Sequence, residues 1–203
     1  MLTAALARAG ARVTAVELDQ ELAAGLRRRF DDVVEGDALR VALPCEPFKV
    51  VANLPFAAGT AILRRLLDPR VPLERADVIV EWGLAAKRAS VWPSTQLGTY
   101  WAAWFELSVT RRLPCCVFAP PPRVDAGVLR AVRRAEPLVP VRDARAYAAF
   151  LGRGYRDGPR SVVGWGTLKR LEAELGFDRR ASARDLDAGQ WAALFAHTVR
   201  RRL

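Results

Sequence analysis

The segment Val50-Val51-Ala52-Asn53-Leu54-Pro55-Phe56 indicates the fold class of this 203-residue chain. Its first three residues are apolar and small or β-branched, which is typical of the end of a buried parallel strand. Pro55 fixes its own φ angle and favours an extended conformation at Leu54, so the strand ends there. We therefore expect a rigid tetrapeptide at the carboxyl edge of a sheet, where open α/β proteins bind ligands.

The tetrapeptide Asn53-Leu54-Pro55-Phe56 offers an amide side chain, a backbone carbonyl and an aromatic face. Asn53 Oδ1 and the Leu54 carbonyl can accept both hydrogens of an exocyclic amine, and Phe56 can stack on the ring that bears it. These groups suit a nucleobase that has been flipped out of its helix. An ordinary proline turn after a strand explains the same residues, so the interpretation depends on the rest of the chain.

Strand and helix patterns alternate through the first half of the chain, which predicts a parallel α/β sheet. The predicted strands comprise residues 13–16, 33–34, 48–52 and 76–82. The predicted helices comprise residues 2–9, 19–30, 60–67 and 83–89, with Thr60 as the cap of the third. Residues 91–99 are predicted to form a loop.

Acidic residues follow two consecutive predicted strands, at Glu17 and Asp37. A carboxylate at such a strand end can accept hydrogen bonds from both hydroxyls of a ribose, or from an adenine amine. Either residue alone is weak evidence, because acidic residues at strand ends usually meet only water. Their position on the same sheet edge as Asn53 favours a nucleoside site.

Seven segments, in order, resemble the ribosomal RNA adenine N6-methyltransferases, which include the erythromycin-resistance (Erm) enzymes and the small-subunit rRNA adenine dimethylases. The segments are Leu2-Thr3, Val16-Glu17-Leu18-Asp19, Glu35-Gly36-Asp37-Ala38, Asn53-Leu54-Pro55-Phe56, Val80-Glu81-Trp82-Gly83-Leu84-Ala85, Trp104-Phe105-Glu106-Leu107 and Phe118-Ala119-Pro120-Pro121-Pro122-Arg123-Val124-Asp125. The resemblance implies a Rossmann-like methyltransferase sheet with a C-terminal antiparallel hairpin and a small all-α C-terminal domain.

The resemblance also implies roles for individual residues. Glu17 would bind the ribose of S-adenosylmethionine and Asp37 its adenine, while Leu18 and Ala38 would flank that ring. Asn53, with Leu54, Pro55 and Phe56, would hold the target adenine, and Asn53 would also contribute to the cofactor site. The adenine N6 would attack the sulfonium methyl group in line, a reaction that requires no metal.

One departure from the family concerns the start of the chain. In the family, a strand and a Gly-x-Gly-x-Gly turn precede the Leu-Thr pair, whereas here Leu2-Thr3 follow Met1 directly. Such glycines let the backbone approach a cofactor closely. We therefore expect weak cofactor binding by this chain and unpaired sheet edges. The same departure keeps a non-catalytic RNA-binding remnant open as an alternative to an Erm-like 23S rRNA enzyme or a 16S rRNA dimethylase.

The positive charge is concentrated in the second half of the chain. Residues 1–100 carry 13 Lys/Arg against 12 Asp/Glu, whereas residues 101–203 carry 19 against 10, within a total net charge of +10. This asymmetry predicts a polyanionic partner such as rRNA, with Arg111, Arg112, Arg133 and Arg134 as candidate contacts. Arg-rich composition from GC-rich coding is the competing explanation.

The remaining features indicate a monomeric, cytoplasmic protein without a membrane span. The three cysteines suggest reduced thiols, because an odd count with an adjacent pair forms no disulfide framework. Strand patterns at 104–113 and 124–132 predict the hairpin, and Pro137 and Pro140 suggest a boundary between domains at 1–135 and 136–203. Helical patterns follow at 143–152, 160–175 and after Asp187, where Gln190 completes a capping box.

Overall fold

The computed structural model describes residues 2–178 and 180–200. Its strands are β1 Ala15–Glu17, β2 Val33–Glu35, β3 Phe48–Asn53, β4 Leu73–Glu81, β5 Phe105–Leu113 and β6 Ala126–Arg133. Its α-helices are α1 Leu2–Arg8, α2 Gln20–Arg27, α3 Gly59–Leu66, α4 Trp82–Ala89, α5 Gln96–Ala102, α6 Ala144–Asp157, α7 Arg160–Val163, α8 Trp165–Leu175 and α9 Ala188–Arg200. Short 3-10 helices occupy Cys115–Val117, Val141–Asp143 and Ala183–Asp185. Within the described residues, no helix is long and apolar enough to cross a membrane.

The strands form two sheets, so the expectation that Glu17, Asp37 and Asn53 lie on one sheet edge was wrong: among the described strands β1 and β2 pair only with each other, and β3 belongs to the second sheet. The parallel pairs predicted for the first half are present. β1 and β2 form a parallel pair, while the second sheet has the order β3-β4-β6-β5. β3 and β4 are parallel, and β6 is antiparallel to both β4 and β5. The predicted Rossmann-like α/β architecture with a C-terminal antiparallel hairpin is therefore confirmed.

The expectation of unpaired sheet edges is also confirmed. Among the described strands, β1 pairs only with β2 and β3 pairs only with β4, so each has one open edge. Val16 in β1 is 44% exposed and Val51 in β3 is 41% exposed. Apolar β-branched residues at an open edge are suited to pairing with a further strand.

Two local predictions were wrong. Thr60 does not cap α3, because the N-cap is Ala58, two residues earlier, in the turn where Ala58 N donates to the Pro55 carbonyl at 3.0 Å. The predicted loop at 91–99 contains the start of α5, since Thr95 accepts a hydrogen bond from Gly98 N and caps that helix. Burial of Trp101 against the core holds the helix in place.

The C-terminal helices pack on the sheet region through an aromatic cluster. Trp104 and Phe195 each meet Tyr147 edge-to-face, with ring centroids 5.9 and 5.2 Å apart. Trp101 and Trp104 are 1% exposed and belong to the core, whereas Trp92 is 59% exposed. One hydrophobic cluster therefore extends across the predicted domain boundary at 135/136.

The predicted capping box at the start of α9 is confirmed. Asp187 N donates to Gln190 Oε1 at 2.9 Å, and Gln190 N donates to Asp187 Oδ1 at 2.8 Å. The two residues thus satisfy each other's backbone donors, which fixes the first turn of the helix.

Candidate functional site

The carboxyl end of β3 presents the tetrapeptide singled out in the sequence. Asn53 pairs with Ile79 of β4, and Leu54 N donates to the Ile79 carbonyl at 3.0 Å. Leu54 is 6% exposed and its side chain belongs to the core. The chain then turns through Pro55, so that Phe56 lies half-buried just before α3. A buried leucine on one side and a proline turn on the other therefore hold Asn53 and Phe56 in place.

Two polar groups of this tetrapeptide have no hydrogen-bond partner among the described residues. Asn53 is exposed, and within the described part of the chain its side chain has no hydrogen-bond partner. The Leu54 carbonyl likewise accepts no hydrogen bond from the described residues. An unpaired amide and an unpaired carbonyl, next to an aromatic ring, can accept two hydrogen bonds from an amine that lies between them.

The second group of candidate residues lies at the carboxyl edge of the β1–β2 sheet. Glu17 pairs with Glu35, and Gly36 N donates to the Glu17 carbonyl at 2.8 Å, which brings Asp37 to the same edge. Glu17 Oε1 accepts from Asp19 N at 3.0 Å, and Asp37 Oδ1 accepts from Leu39 N at 2.8 Å. These turns orient the two carboxylates.

Each carboxylate keeps one oxygen with capacity for a ligand. Asp37 Oδ2 lies 3.8 Å from Arg40 Nε, a loose and exposed ion pair. Leu18, which follows Glu17, is 68% exposed and offers an apolar surface beside these acceptors. The carboxylate oxygens can accept hydrogen bonds from the hydroxyls of a nucleoside, and the exposed leucine can contact its ring.

The helix α3 connects the two groups of candidate residues. Arg65 Nη1 donates to the Ala38 carbonyl at 2.6 Å, and its other terminal nitrogen donates to the Val41 carbonyl. Ala38 also packs against the hydrophobic core. Because α3 follows directly from Phe56, one arginine ties the loop after Asp37 to the helix after the tetrapeptide.

The arginines proposed from the charge pattern differ in their surroundings. Arg111 is exposed and forms no ion pair with the described residues, whereas Arg112 Nη2 lies 2.8 Å from Asp125 Oδ2. Arg133 Nε donates to the Leu73 carbonyl at 2.7 Å, and Arg134 Nε donates to the Ala102 carbonyl at 2.9 Å. RNA binding by these residues stays a prediction, and Arg111 is the one whose charge is fully available.

Sequence reasoning missed a cluster at the carboxyl end of β4. The guanidinium of Arg112 lies 4.8 Å from the centroid of the Trp82 ring, and Trp82 N donates to the Asp125 carbonyl at 2.9 Å. Hydrogen bonds from Arg112 and from the backbone of Cys115 lower the pKa of Asp125. This cluster holds the end of the 118–124 loop beside the strand that pairs with β3. The sequence singled out Trp82, Arg112 and Asp125 separately, but nothing in it indicated that the three side chains meet.

Comparisons with known proteins agree with this geometry. A family model described as "Ribosomal RNA adenine dimethylase" matches residues 1–153. The mycinamicin-resistance protein MyrB of Micromonospora griseorubida is 36% identical over 210 residues, which cover 96% of this chain and 65% of MyrB. Ribosomal RNA small subunit methyltransferase A of Synechococcus sp. is 34% identical, over 95% of this chain and 75% of that protein.

A solved structure is also similar to this chain. The crystal structure of the 23S rRNA methyltransferase ErmE has a TM-score of 0.74 and 26% sequence identity, over 91% of this chain and 81% of ErmE. The chain thus spans less than two thirds of the length of MyrB, whereas it covers most of the ErmE chain in the structural superposition.

Proposed function

The chain belongs to the ribosomal RNA adenine dimethylase family, and from that premise we propose that it carries out S-adenosylmethionine-dependent N6-methylation of an adenine in 23S rRNA. Macrolide, lincosamide and streptogramin B resistance is the proposed consequence. The observation that carries the proposal is the pair of unoccupied acceptors, Asn53 Oδ1 and the Leu54 carbonyl, next to Phe56 at a strand end. An rRNA substrate is in keeping with the predicted cytoplasmic location.

The residues at the β1–β2 edge fit the cofactor by their chemistry. Glu17 has a carboxylate oxygen available for ribose hydroxyls, and Asp37 has one available for the adenine amine. Exposed Leu18 and half-buried Ala38 offer apolar surface for such a ring. When bound, S-adenosylmethionine supplies an electrophilic methyl group on a sulfonium sulfur.

The tetrapeptide prepares the target adenine for reaction. Asn53 Oδ1 and the Leu54 carbonyl accept hydrogen bonds from the N6 amine, which favours a pyramidal nitrogen with a localised lone pair. Phe56 stacks on the base and keeps it out of the RNA helix. The fixed backbone around Pro55 supplies the orientation, which is a large part of catalysis in a direct transfer between two bound groups.

Two observations support 23S rRNA over 16S rRNA as the substrate. The structural neighbour ErmE is named as a 23S rRNA methyltransferase, and MyrB is named for mycinamicin resistance. A 16S rRNA dimethylase is the second candidate, favoured by the 34% identity to a small-subunit rRNA methyltransferase. A non-catalytic RNA-binding protein is the third, favoured by the open edges of β1 and β3.

Methylation of purified, unmodified rRNAs tests the proposal. The chain and its Asn53→Ala variant are each incubated with S-adenosylmethionine and either 23S or 16S rRNA, and primer extension locates the modified adenine. We expect a stop at one adenine of 23S rRNA with the unaltered chain only. Modification of 16S rRNA alone would support the second candidate, and RNA binding without any modification would support the third.

A further inference from the structure

Two cysteines lie next to each other in the connection between β5 and β6. Cys116 is exposed and Cys115 is half-buried, and both are free thiols. They begin the 3-10 helix Cys115–Val117, in which Phe118 N donates to the Cys115 carbonyl at 3.2 Å. Cys115 N donates in turn to Asp125 Oδ1 at 3.0 Å. Hydrogen bonds therefore fix the backbone that carries the two thiols.

The two thiols are poorly placed to oxidise each other. The Cα atoms of adjacent residues lie about 3.8 Å apart, whereas Cα atoms joined by a disulfide usually lie about 4.4–6.8 Å apart. A disulfide between Cys115 and Cys116 would therefore require the fixed turn to distort. Both thiols thus stay available for a ligand.

The donor set of this turn consists of two sulfur atoms without a third ligand. Asp125 lies beside Cys115, but Cys115 N donates to its Oδ1 and Arg112 Nε donates to its Oδ2 at 3.0 Å. Across the described residues, no group of three or more His, Cys, Asp or Glu side chains is placed to hold a metal ion. A structural zinc site needs four protein ligands. The turn therefore suits a thiophilic atom that binds only two thiolates.

Apolar side chains accompany the thiols in the same connection. Val117 and Val124 are both exposed. An organic substituent on the thiophilic atom can remove its own apolar surface from water against such side chains. A monosubstituted trivalent arsenical has this composition, because its arsenic carries one organic group and has two positions for sulfur.

We propose that Cys115 and Cys116 form a dithiol site for monosubstituted trivalent arsenicals. The arsenical enters as its dihydroxide, R–As(OH)2. Two As–O bonds break and two As–S bonds form, and each thiol proton leaves with a hydroxide as water, so that no atom is oxidised or reduced. Because the first As–S bond gives the second thiol a high effective concentration, the pair binds more tightly than a single thiol.

An arsenical at this site also obstructs the RNA substrate, a consequence that rests on the proposed function. β5 runs parallel to β3 and β4, so the connection after Leu113 and the tetrapeptide after β3 lie at the same edge of the sheet. The strand order separates them by three strand spacings, or about 14 Å. An RNA that delivers a base to Asn53 at this edge therefore meets a bulky group on Cys116.

Titration of the full reduced chain with phenylarsine oxide, followed by native mass spectrometry, tests the site. We expect one arsenical per chain, bound with loss of two thiol hydrogens and released by an excess of a small dithiol. Cys115→Ser and Cys116→Ser should each weaken binding about 100-fold, because the second As–S bond is lost. The matched control is Cys45→Ser, since Cys45 is exposed but has no cysteine next to it in the sequence. It should leave binding unchanged.

Equal binding by the unaltered chain and Cys116→Ser, or loss of binding in Cys45→Ser, would overturn the dithiol site. Filter binding of an rRNA fragment, with and without phenylarsine oxide, tests the obstruction. We expect the arsenical to cause a loss of RNA affinity in the unaltered chain but not in Cys116→Ser. Unchanged RNA affinity with the arsenical bound would overturn the obstruction. A chain that binds the arsenical but no RNA would support the dithiol site and contradict the proposed function.

Discussion

Arg133 and Phe105 face each other across the β5–β6 hairpin, with the guanidinium 4.7 Å from the ring centroid. The same guanidinium donates to the carbonyls of Pro69 and Val71, in the connection between α3 and β4, and to that of Leu73, the first residue of β4. Burial lowers the pKa of Arg133. The residue thus joins the hairpin to the parallel part of the sheet, and its charge is used within the protein.

We predict that Arg133→Gln destabilises the fold more than Arg111→Gln does. The first change removes hydrogen bonds from a charged donor to three carbonyls, and such bonds contribute about 1.5–3 kcal/mol each. The second change removes an exposed side chain without an ion partner among the described residues. Urea unfolding of both variants measures the difference. Equal unfolding midpoints would show that the Arg133 hydrogen bonds contribute little.

The charge asymmetry predicts that RNA binding depends mainly on residues 101–203. Arg111→Glu should weaken binding of an rRNA fragment and flatten its salt dependence, because fewer counterions are released from the phosphates. Arg28→Glu, on the exposed carboxyl end of α2, is the matched change in the first half. Filter binding at several salt concentrations compares the two variants. If both lose affinity equally, the asymmetry is only compositional.

We predict that substitutions at the two ends of the tetrapeptide, Asn53 and Phe56, have different effects on the reaction. Asn53→Ala should abolish methyl transfer without loss of stability, because Asn53 is exposed and its side chain has no partner among the described residues. Phe56→Ala should weaken binding of the target base by about 1–3 kcal/mol through loss of stacking. Single-turnover methylation and thermal melting measure both effects. Full activity of Asn53→Ala would refute its assignment as an acceptor for the target amine.

The open edges of β1 and β3 predict that a further strand would stabilise the protein. An added amino-terminal segment with an apolar strand and a Gly-rich turn should raise both the melting temperature and the affinity for S-adenosylmethionine, since ligand binding and folding are linked. Calorimetry compares the chain with and without this segment. An extension of equal length with prolines at the strand positions is the control. Equal cofactor affinity in all three proteins would contradict the prediction.

Asp77 predicts a loss of stability in acid. Burial raises the pKa of Asp77, but hydrogen bonds from Arg75 and Arg130 outweigh this effect and lower it below the ordinary value of 3.8. Because the pKa of Asp77 is lower in the folded state, its charged carboxylate adds to the free energy of unfolding. This contribution is complete above the unfolded-state pKa and is lost as the pH falls through the folded-state pKa. Asp77→Asn should therefore flatten the dependence of unfolding free energy on pH below about 4.

Asp31→Asn is the control for this measurement, because Asp31 is exposed and forms no ion pair with the described residues. Urea unfolding between neutral and acidic pH should show the flattening only in Asp77→Asn. The same slope in both variants would mean that the two arginines do not stabilise the charged form of Asp77.

Local features of the sequence by themselves determined most of the strands and helices and the turn at the tetrapeptide 53–56. Continuous runs of apolar residues predicted β3 and β4, alternating apolar and polar residues predicted the hairpin, and Pro55 predicted the end of β3. The capping box at Asp187 and Gln190 was predicted because both partners lie within one helical turn. Such signals involve neighbours in the chain, so they can be read without knowledge of the fold. The helix start at Gln96 was missed because its surroundings resemble a loop in composition.

Only the tertiary structure decided which charges are free and which are engaged. Arg111 and Arg133 look alike in sequence, but Arg133 finds its carbonyl acceptor 60 residues earlier in the chain. The separation of Glu17 and Asn53 onto two sheets depends on strand order in the same way. The hydrogen bonds from Arg65 of α3 to the carbonyls of Ala38 and Val41 likewise depend on how the helix packs. The physical reason is that hydrogen bonds and ion pairs depend on distance in space, which strand pairing and helix packing set.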